Sequence, residues 1–144
     1  MKKIPLEVYH FANNLRIMAH FLLRCESPHI FMPIKAIVDT GSPITIIGPL
    51  DIKRMRLSKI QLQKLEGRHK PINIGGGQIF TKVLEKAKLR FGDNLEVEMP
   101  VDFPIKNEEE SIQPTLLGVD FMLKLKAKLF FDPTNKEAYF EIKD

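Results

Sequence analysis

Cysteine is nearly missing from this chain: Cys25 stands alone among 144 residues. A single thiol excludes any intrachain disulfide and fits a reducing compartment, where such a residue serves as a small, half-buried hydrophobe. Long apolar runs are missing too, and none approaches the ~18 residues of a membrane span. Met1-Lys2-Lys3 begins as a signal peptide might, but Glu7, His10 and Asn13-Asn14 interrupt the apolar core it would need. The sequence therefore reads as that of a soluble, cytoplasmic protein with no membrane partner. The histidines at 10, 20, 29 and 69 lack metal-ligand spacing and have no cysteine or carboxylate cluster beside them, so no metal or other cofactor is expected. No Gly-x-Ser-x-Gly or Cys-His signature supports a serine or cysteine nucleophile. The formal charge of +4 is mild. Nucleic-acid binding usually shows a concentrated basic face with aromatics, and none is expected here.

What is present points to one β-rich domain over residues 1–144, with 44% hydrophobic residues, enough to bury a core without staples. Strand patterns occupy residues 4–11, where Pro5 favours an edge, then 15–23 and 31–38, separated by the turns Asn13-Asn14 and Glu26-Ser27-Pro28. Residues 81–91 and 95–101 flank Gly92-Asp93-Asn94, and a last hairpin, 127–131 and 138–142, flanks Asp132-Pro133-Thr134-Asn135. Residues 51–66 read as a helix with Ile52, Met55, Leu62 and Leu65 on one face, and the basic residues there read as a solvated surface. Residues 106–113 form a charged loop.

The chain is organised around Ala36-Ile37-Val38-Asp39-Thr40-Gly41-Ser42-Pro43-Ile44-Thr45-Ile46-Ile47-Gly48. Residues 34–38 and 44–47 read as buried strands, with a sharp turn between them at which Gly41 avoids Cβ clashes. Asp39 is thereby held where two core strands meet, an expensive place for a charge that has neither a partner nor chemistry to perform. Further on, Pro71-Ile72-Asn73-Ile74-Gly75-Gly76-Gly77-Gln78-Ile79-Phe80-Thr81 reads as a hairpin with a glycine tip. A phosphate cradle is excluded because no Lys-Ser or Lys-Thr follows at the required spacing.

The Asp-Thr-Gly-Ser stretch with apolar flanks resembles the active-site signature of aspartic proteases. Thr115-Leu116-Leu117-Gly118-Val119-Asp120-Phe121, about 80 residues on, resembles the second motif of the retropepsin-like, single-lobed, retroviral-type members. The resemblance covers residues 15–142. It implies a mainly β fold: a closed β-barrel with a flap hairpin and one or two short helices, active as a C2 homodimer. It also implies an aspartic endopeptidase that binds its polypeptide substrate in extended form, with Gly75, Gly76 and Gly77 in the flap closing over it. By the same resemblance, Thr40 would bond across the dimer axis, the Gly41 N–H would approach the Asp39 carboxylate, and Ser42 would bond the outer oxygen of Asp39. Leu116, Leu117 and Gly118 would pack under the loop.

Hydrolysis by carboxylates takes two of them, one ionised as general base and one protonated against the scissile carbonyl. In aspartic proteases, the established case of this behaviour, two carboxylates about 3 Å apart cannot both ionise. Asp51, Asp93, Asp102, Asp120, Asp132 and Asp144 lack the glycine turn and its apolar flanks. The partner of Asp39 is therefore expected to be Asp39 of a second copy. Two other readings stand beside this one: a catalytically silent relative that keeps the fold as a dimerisation or peptide-binding module, and an unrelated β-rich binding domain in which Asp39 only caps a turn.

Overall fold

In chain order the elements are β1 (Lys2–Phe11), β2 (Asn14–Cys25), β3 (Ile30–Val38), α1 (Pro49–Met55), α2 (Lys59–Gln63), β4 (Glu66–Gly67), β5 (Ile72–Ile74), β6 (Gly77–Ile79), β7 (Thr81–Phe91), β8 (Leu95–Pro104), β9 (Leu116–Leu117), α3 (Val119–Leu125), β10 (Ala127–Asp132) and β11 (Glu137–Ile142). The computed structural model describes residues 2–74, 77–105 and 113–143. The fold is mainly β, as expected.

Period-two burial builds the central strands. In β3 Ile30, Met32, Ile34 and Ala36 are buried, and Phe31, Pro33 and Lys35 face out. Its inner row meets Ala19, Phe21 and Leu23 of β2 and Leu84, Ala87 and Leu89 of β7 in one contiguous core. Cys25 belongs to that core and is buried. Four rings, Phe21, Phe91, Phe121 and Phe140, touch in succession at centroid distances of 5.3, 5.0 and 5.3 Å. Phe121 is the one buried residue of α3. The two ring contacts it makes, each worth about 0.5–1.5 kcal/mol beyond area burial, help pin that short helix to the sheet, with Met122 and Leu125 packed on the same core.

Neighbouring strands run in the order β10-β11-β1-β2-β3-β9, with β7 branching from β2 and carrying β4 and β8, nine strands in one sheet. Each half of β1 is paired on one side only, Lys2 to Leu6 with β11 and Glu7 to Phe11 with β2. Pro5 thus sits on a local edge, where a missing N–H is tolerated. The strands alone do not close a barrel. The circuit is completed by a single residue, Ile46, which bridges Leu116 of β9 on one side and Asp102 of β8 on the other. The expected strand at 44–47 is corrected accordingly, because each neighbour is met at only one position.

The expected helix at 51–66 is two helices. Arg56 caps α1 in the left-handed region (φ 55°), and Ser58 starts α2 with a capping box in which its hydroxyl accepts from the Gln61 N–H while the Gln61 side chain accepts from the Ser58 N–H. Residues beyond α2 join β4 against β7 instead of extending the helix. Among the described residues, no helix is long and apolar enough to cross a membrane.

Candidate active site

β3 delivers Asp39. Ile37 and Val38 pair in parallel with Leu116 and Leu117, and the Asp39 N–H donates to the Leu117 carbonyl at 3.0 Å. The chain then turns sharply. The Ser42 N–H donates back to the Asp39 carbonyl at 3.1 Å, and the Gly41 N–H donates to Asp39 Oδ1 at 2.9 Å. A Cβ on Gly41 would lie 3.2 Å from that same oxygen, so glycine is what lets the N–H come this close. Asp39 is half-buried and Thr40 exposed. The carboxylate is thus not sunk in the core as its flanks suggest, since the turn lifts it out where β3 ends. Its Oδ2 accepts no hydrogen bond among the described residues.

Ser42 departs from the expected contact. The residue is buried, and its hydroxyl donates to the Ile44 carbonyl at 2.7 Å, not to Asp39. It closes the turn from within.

Leu116, Leu117 and Gly118 lie beneath the turn, and all three are buried. The Val119 N–H donates to the Ser42 carbonyl at 2.9 Å, and the Gly118 N–H donates to Thr45 Oγ1 at 3.1 Å. Gly77 is exposed at the start of β6, which pairs with β5 to make the expected hairpin. Gly75 and Gly76 lie outside the described residues.

Two carboxylates that the sequence reading passed over hold this assembly. Asp120, at the start of α3, accepts from the Thr45 N–H (2.9 Å), the Thr45 hydroxyl (2.8 Å) and the Phe121 N–H (2.8 Å). Burial pushes its carboxyl above the usual aspartate range, and the bonds from Thr45 and Phe121 only partly oppose this. An acid whose folded pKa is raised binds more protons folded than unfolded, so the stability it contributes falls as pH rises from its ordinary value of about 4. Thermal melts should show this as a wild-type melting temperature that declines relative to Asp120→Asn as pH climbs from 4 towards neutrality. A difference that stays constant with pH would contradict it.

Asp102, 1% exposed on its side chain, is gripped by the Arg68 guanidinium on both oxygens, with Nη2 to Oδ1 at 2.8 Å and Nε to Oδ2, and by the Thr81 hydroxyl. Hydrogen bonding to Asp102 raises Arg68 above even its usual pKa. The Asp102 main chain accepts from the Ile47 N–H (2.9 Å) and donates to the Thr45 carbonyl (3.0 Å). Arg68 and Thr81 stand on either side of the β5–β6 hairpin and bond each other through the Arg68 N–H and Thr81 carbonyl at 3.0 Å. One residue therefore joins both legs of that hairpin, through its buried carboxylate, to the exit of the Asp39 turn, through its main chain. The sequence carried no local signal for it: Asp102 keeps the outward phase of β8, like Glu96 and Glu98, yet is buried, as are its neighbours Val101 and Phe103. Its partner is 34 residues away, which no local pattern reveals.

Among the described residues, no group of three His, Cys, Asp or Glu is arranged to hold a metal ion. A groove of about 610 Å³ on β2 and β3, between His20, Pro33, Lys35, Arg54 and Arg90, contains none of the candidate site residues. The chemistry on offer is a half-exposed carboxylate, fixed through one oxygen on a rigid turn, with the other oxygen open.

No protein-family model matches this sequence, and no curated protein does. Solved structures do. A retropepsin-like aspartic protease from Rickettsia conorii superposes with a TM-score of 0.61 at 13% identity, over 96% of this chain and 89% of that one. The EIAV protease in complex with the inhibitor HBY-793 superposes with a TM-score of 0.59 at 16% identity, over 85% of this chain and all of the other (100%). Sequence likeness this low carries no activity across, but two superpositions of such coverage, taken with the Asp39 turn resting on Leu116-Leu117-Gly118, show that the chain has the retropepsin-like fold.

Proposed function

We propose that this protein is an aspartic endopeptidase that acts in the cytoplasm as a homodimer, with one Asp39 from each chain forming the catalytic pair. The observation that carries this reading is the state of the carboxylates in a single chain. Asp39 keeps an open Oδ2, whereas Asp102 is committed to Arg68 and Thr81, and Asp120 to Thr45 and Phe121. Asp51 is committed to Arg54 and Thr115, and Asp132 to its own turn. None of these four could serve as the second acid without giving up a structural bond, which favours a second acid supplied by a second copy.

In that pair the ionised carboxylate takes a proton from a water whose oxygen bonds to the scissile carbonyl carbon. The protonated one hydrogen-bonds the carbonyl oxygen, on which negative charge develops as the carbon becomes tetrahedral. Collapse breaks the C–N bond while the leaving nitrogen takes a proton from the pair, which is left with the single proton it began with. Thr40, exposed on the turn, would bond the opposite turn. The β5–β6 hairpins, with Gly75, Gly76 and Gly77 as the flap residues, would bind an extended polypeptide as an added strand and exclude water, and Leu116, Leu117 and Gly118 would floor the cleft.

The experiment is cleavage of a mixed peptide library across protein concentration, alongside sedimentation. A monomer owns half a catalytic pair, so specific activity should fall as protein is diluted through the dimer dissociation constant. Full specific activity from a demonstrably monomeric sample would overturn the proposal.

A further inference from the structure

The groove on β2 and β3 has an apolar floor and a basic rim. Leu22 of β2 lies between its two register partners, Pro33 of β3 and Arg90 of β7, so the three side chains share one face of the sheet. Leu22 and Pro33 make the floor. His20 and Lys35, opposite each other two residues along, stand at one end. Arg54 reaches over from α1, its Nη2 donating to the Pro33 carbonyl at 3.5 Å. Lys35, Arg54 and Arg90 are permanent cations, and the lining sets only Asp93 against them.

Two of those cations are left over by the pairing around them. Arg90 stands opposite Glu96 of β8, but Glu96 is taken by Arg24 at 2.9 Å. Arg90 donates only through Nε, to the Gly92 carbonyl at 3.3 Å, and its Nη groups have no partner among the described residues. Lys35 stands opposite His20, which takes Glu7. Its Nζ donates to the Tyr9 hydroxyl and lies 3.9 Å from the centre of that ring, with no carboxylate of its own. Arg54, by contrast, is already met by Asp51. A guanidinium and an ammonium without acid partners, set above apolar side chains, suit carboxylates carried on a partly apolar chain.

The groove also takes in an unpaired length of strand. β3 runs beside β2 from Met18 to Cys25. On the other side of β2, pairing with β1 stops at Met18 and pairing with β7 starts at Leu22. Residues 19–21 therefore meet no strand there among the described residues, and His20 and Phe21 line the groove. Main-chain groups left outside a ladder suit an extended chain laid alongside. A nucleic-acid backbone would use the cations alone, whereas a polypeptide uses both.

We infer that this groove binds an acidic polypeptide segment in extended form, with carboxylates on Arg90 and Lys35 and an apolar side chain on Leu22 and Pro33. Lys35 precedes Asp39 by four residues, about 13 Å of extended chain. The groove is thus a separate site, and the inference does not rest on the aspartic reading.

Fluorescence anisotropy of a labelled octapeptide of glutamate and leucine in equal parts tests it. The full chain is used, and the titration is repeated with Asp39→Asn so that cleavage cannot consume the probe; the two should bind alike. Arg90→Gln and Lys35→Gln should each weaken binding about tenfold at low salt, one charge-assisted bond being lost. Lys59→Gln removes the same charge from α2, outside the groove, and should bind as wild type does. Lys35 is exposed on β3, so its variant reads the groove whether or not Arg90→Gln folds. Absence of peptide binding overturns the inference, as does equal weakening by Lys59→Gln. An oligothymidylate of the same charge that binds more tightly than the peptide overturns it too. None of these results touches the Asp39 reading, which has its own test.

Discussion

Asp39→Asn should lower peptide cleavage by on the order of 10²–10⁴-fold or more, with the fold and the association of chains retained. The amide occupies the volume of the carboxylate, and its oxygen can still accept from the Gly41 N–H, the contact that fixes Oδ1 at 2.9 Å. What disappears is the proton-accepting oxygen, and with it the sharing of one proton between two sites. Melting temperature should hold or rise, because two like charges no longer face each other across the axis. The measurement is kcat/KM on a cleaved peptide, with a thermal melt and sedimentation on the same sample. Undiminished turnover by the variant would sink the mechanism. A variant that no longer associates would show that Asp39 serves assembly as well as chemistry.

Gly118→Ala carries the largest expected cost in stability. The added methyl would lie 2.3 Å from the Ile44 carbonyl oxygen, 2.5 Å from its carbon and 2.8 Å from the Ser42 carbonyl oxygen. All three are main-chain atoms of the Asp39 turn, so no side chain can swing aside. Relief requires the turn and β9 to separate, at the expense of the bonds from Gly118 to Thr45 and from Val119 to Ser42. A loss of about 3 kcal/mol, the upper end for overpacking, would lower the melting temperature of a chain this size by roughly 6–12 °C. Gly67→Ala is the control, since a Cβ there meets nothing within 4 Å. Equal melting temperatures for the two variants would mean that the turn is not seated on Gly118.

The features legible in the sequence were those with local chemistry. Asp39 with Gly41, the leucine pair before Gly118, and the turn at Asp132 each declare themselves within a few residues, because their side chains bond or clear their own backbone. The strands were legible through period two, and their observed ends lie within a few residues of the expected ones. What was not legible depends on distant partners. Thr45 looked like one more β-branched residue of a strand, yet its hydroxyl and N–H both serve Asp120, 75 positions on. Ser42 looked like a ligand of Asp39 and turned instead to Ile44. The split of the expected helix was signalled, since Ser58 followed three residues later by Gln61 is a helix start, but the apolar residues on either side of it masked the break. Asp102 and Arg68 could be joined only in three dimensions.

The grip of Arg68 on Asp102 makes the order of sequence change matter. The two ends of the pair are unequally placed, the arginine side chain 36% exposed and the aspartate 1%. A lineage that lost Arg68 first would be left with a buried carboxylate bonded to Thr81 alone, a cost of several kcal/mol in fully buried pairs and somewhat less here. A lineage that replaced Asp102 first with an apolar residue would free an arginine that already reaches solvent, after which Arg68 and Thr81 could drift. The same apolar end point is thus open from one direction and nearly shut from the other. The hairpin and the Asp39 turn are bound together through history by the same residue that binds them in space.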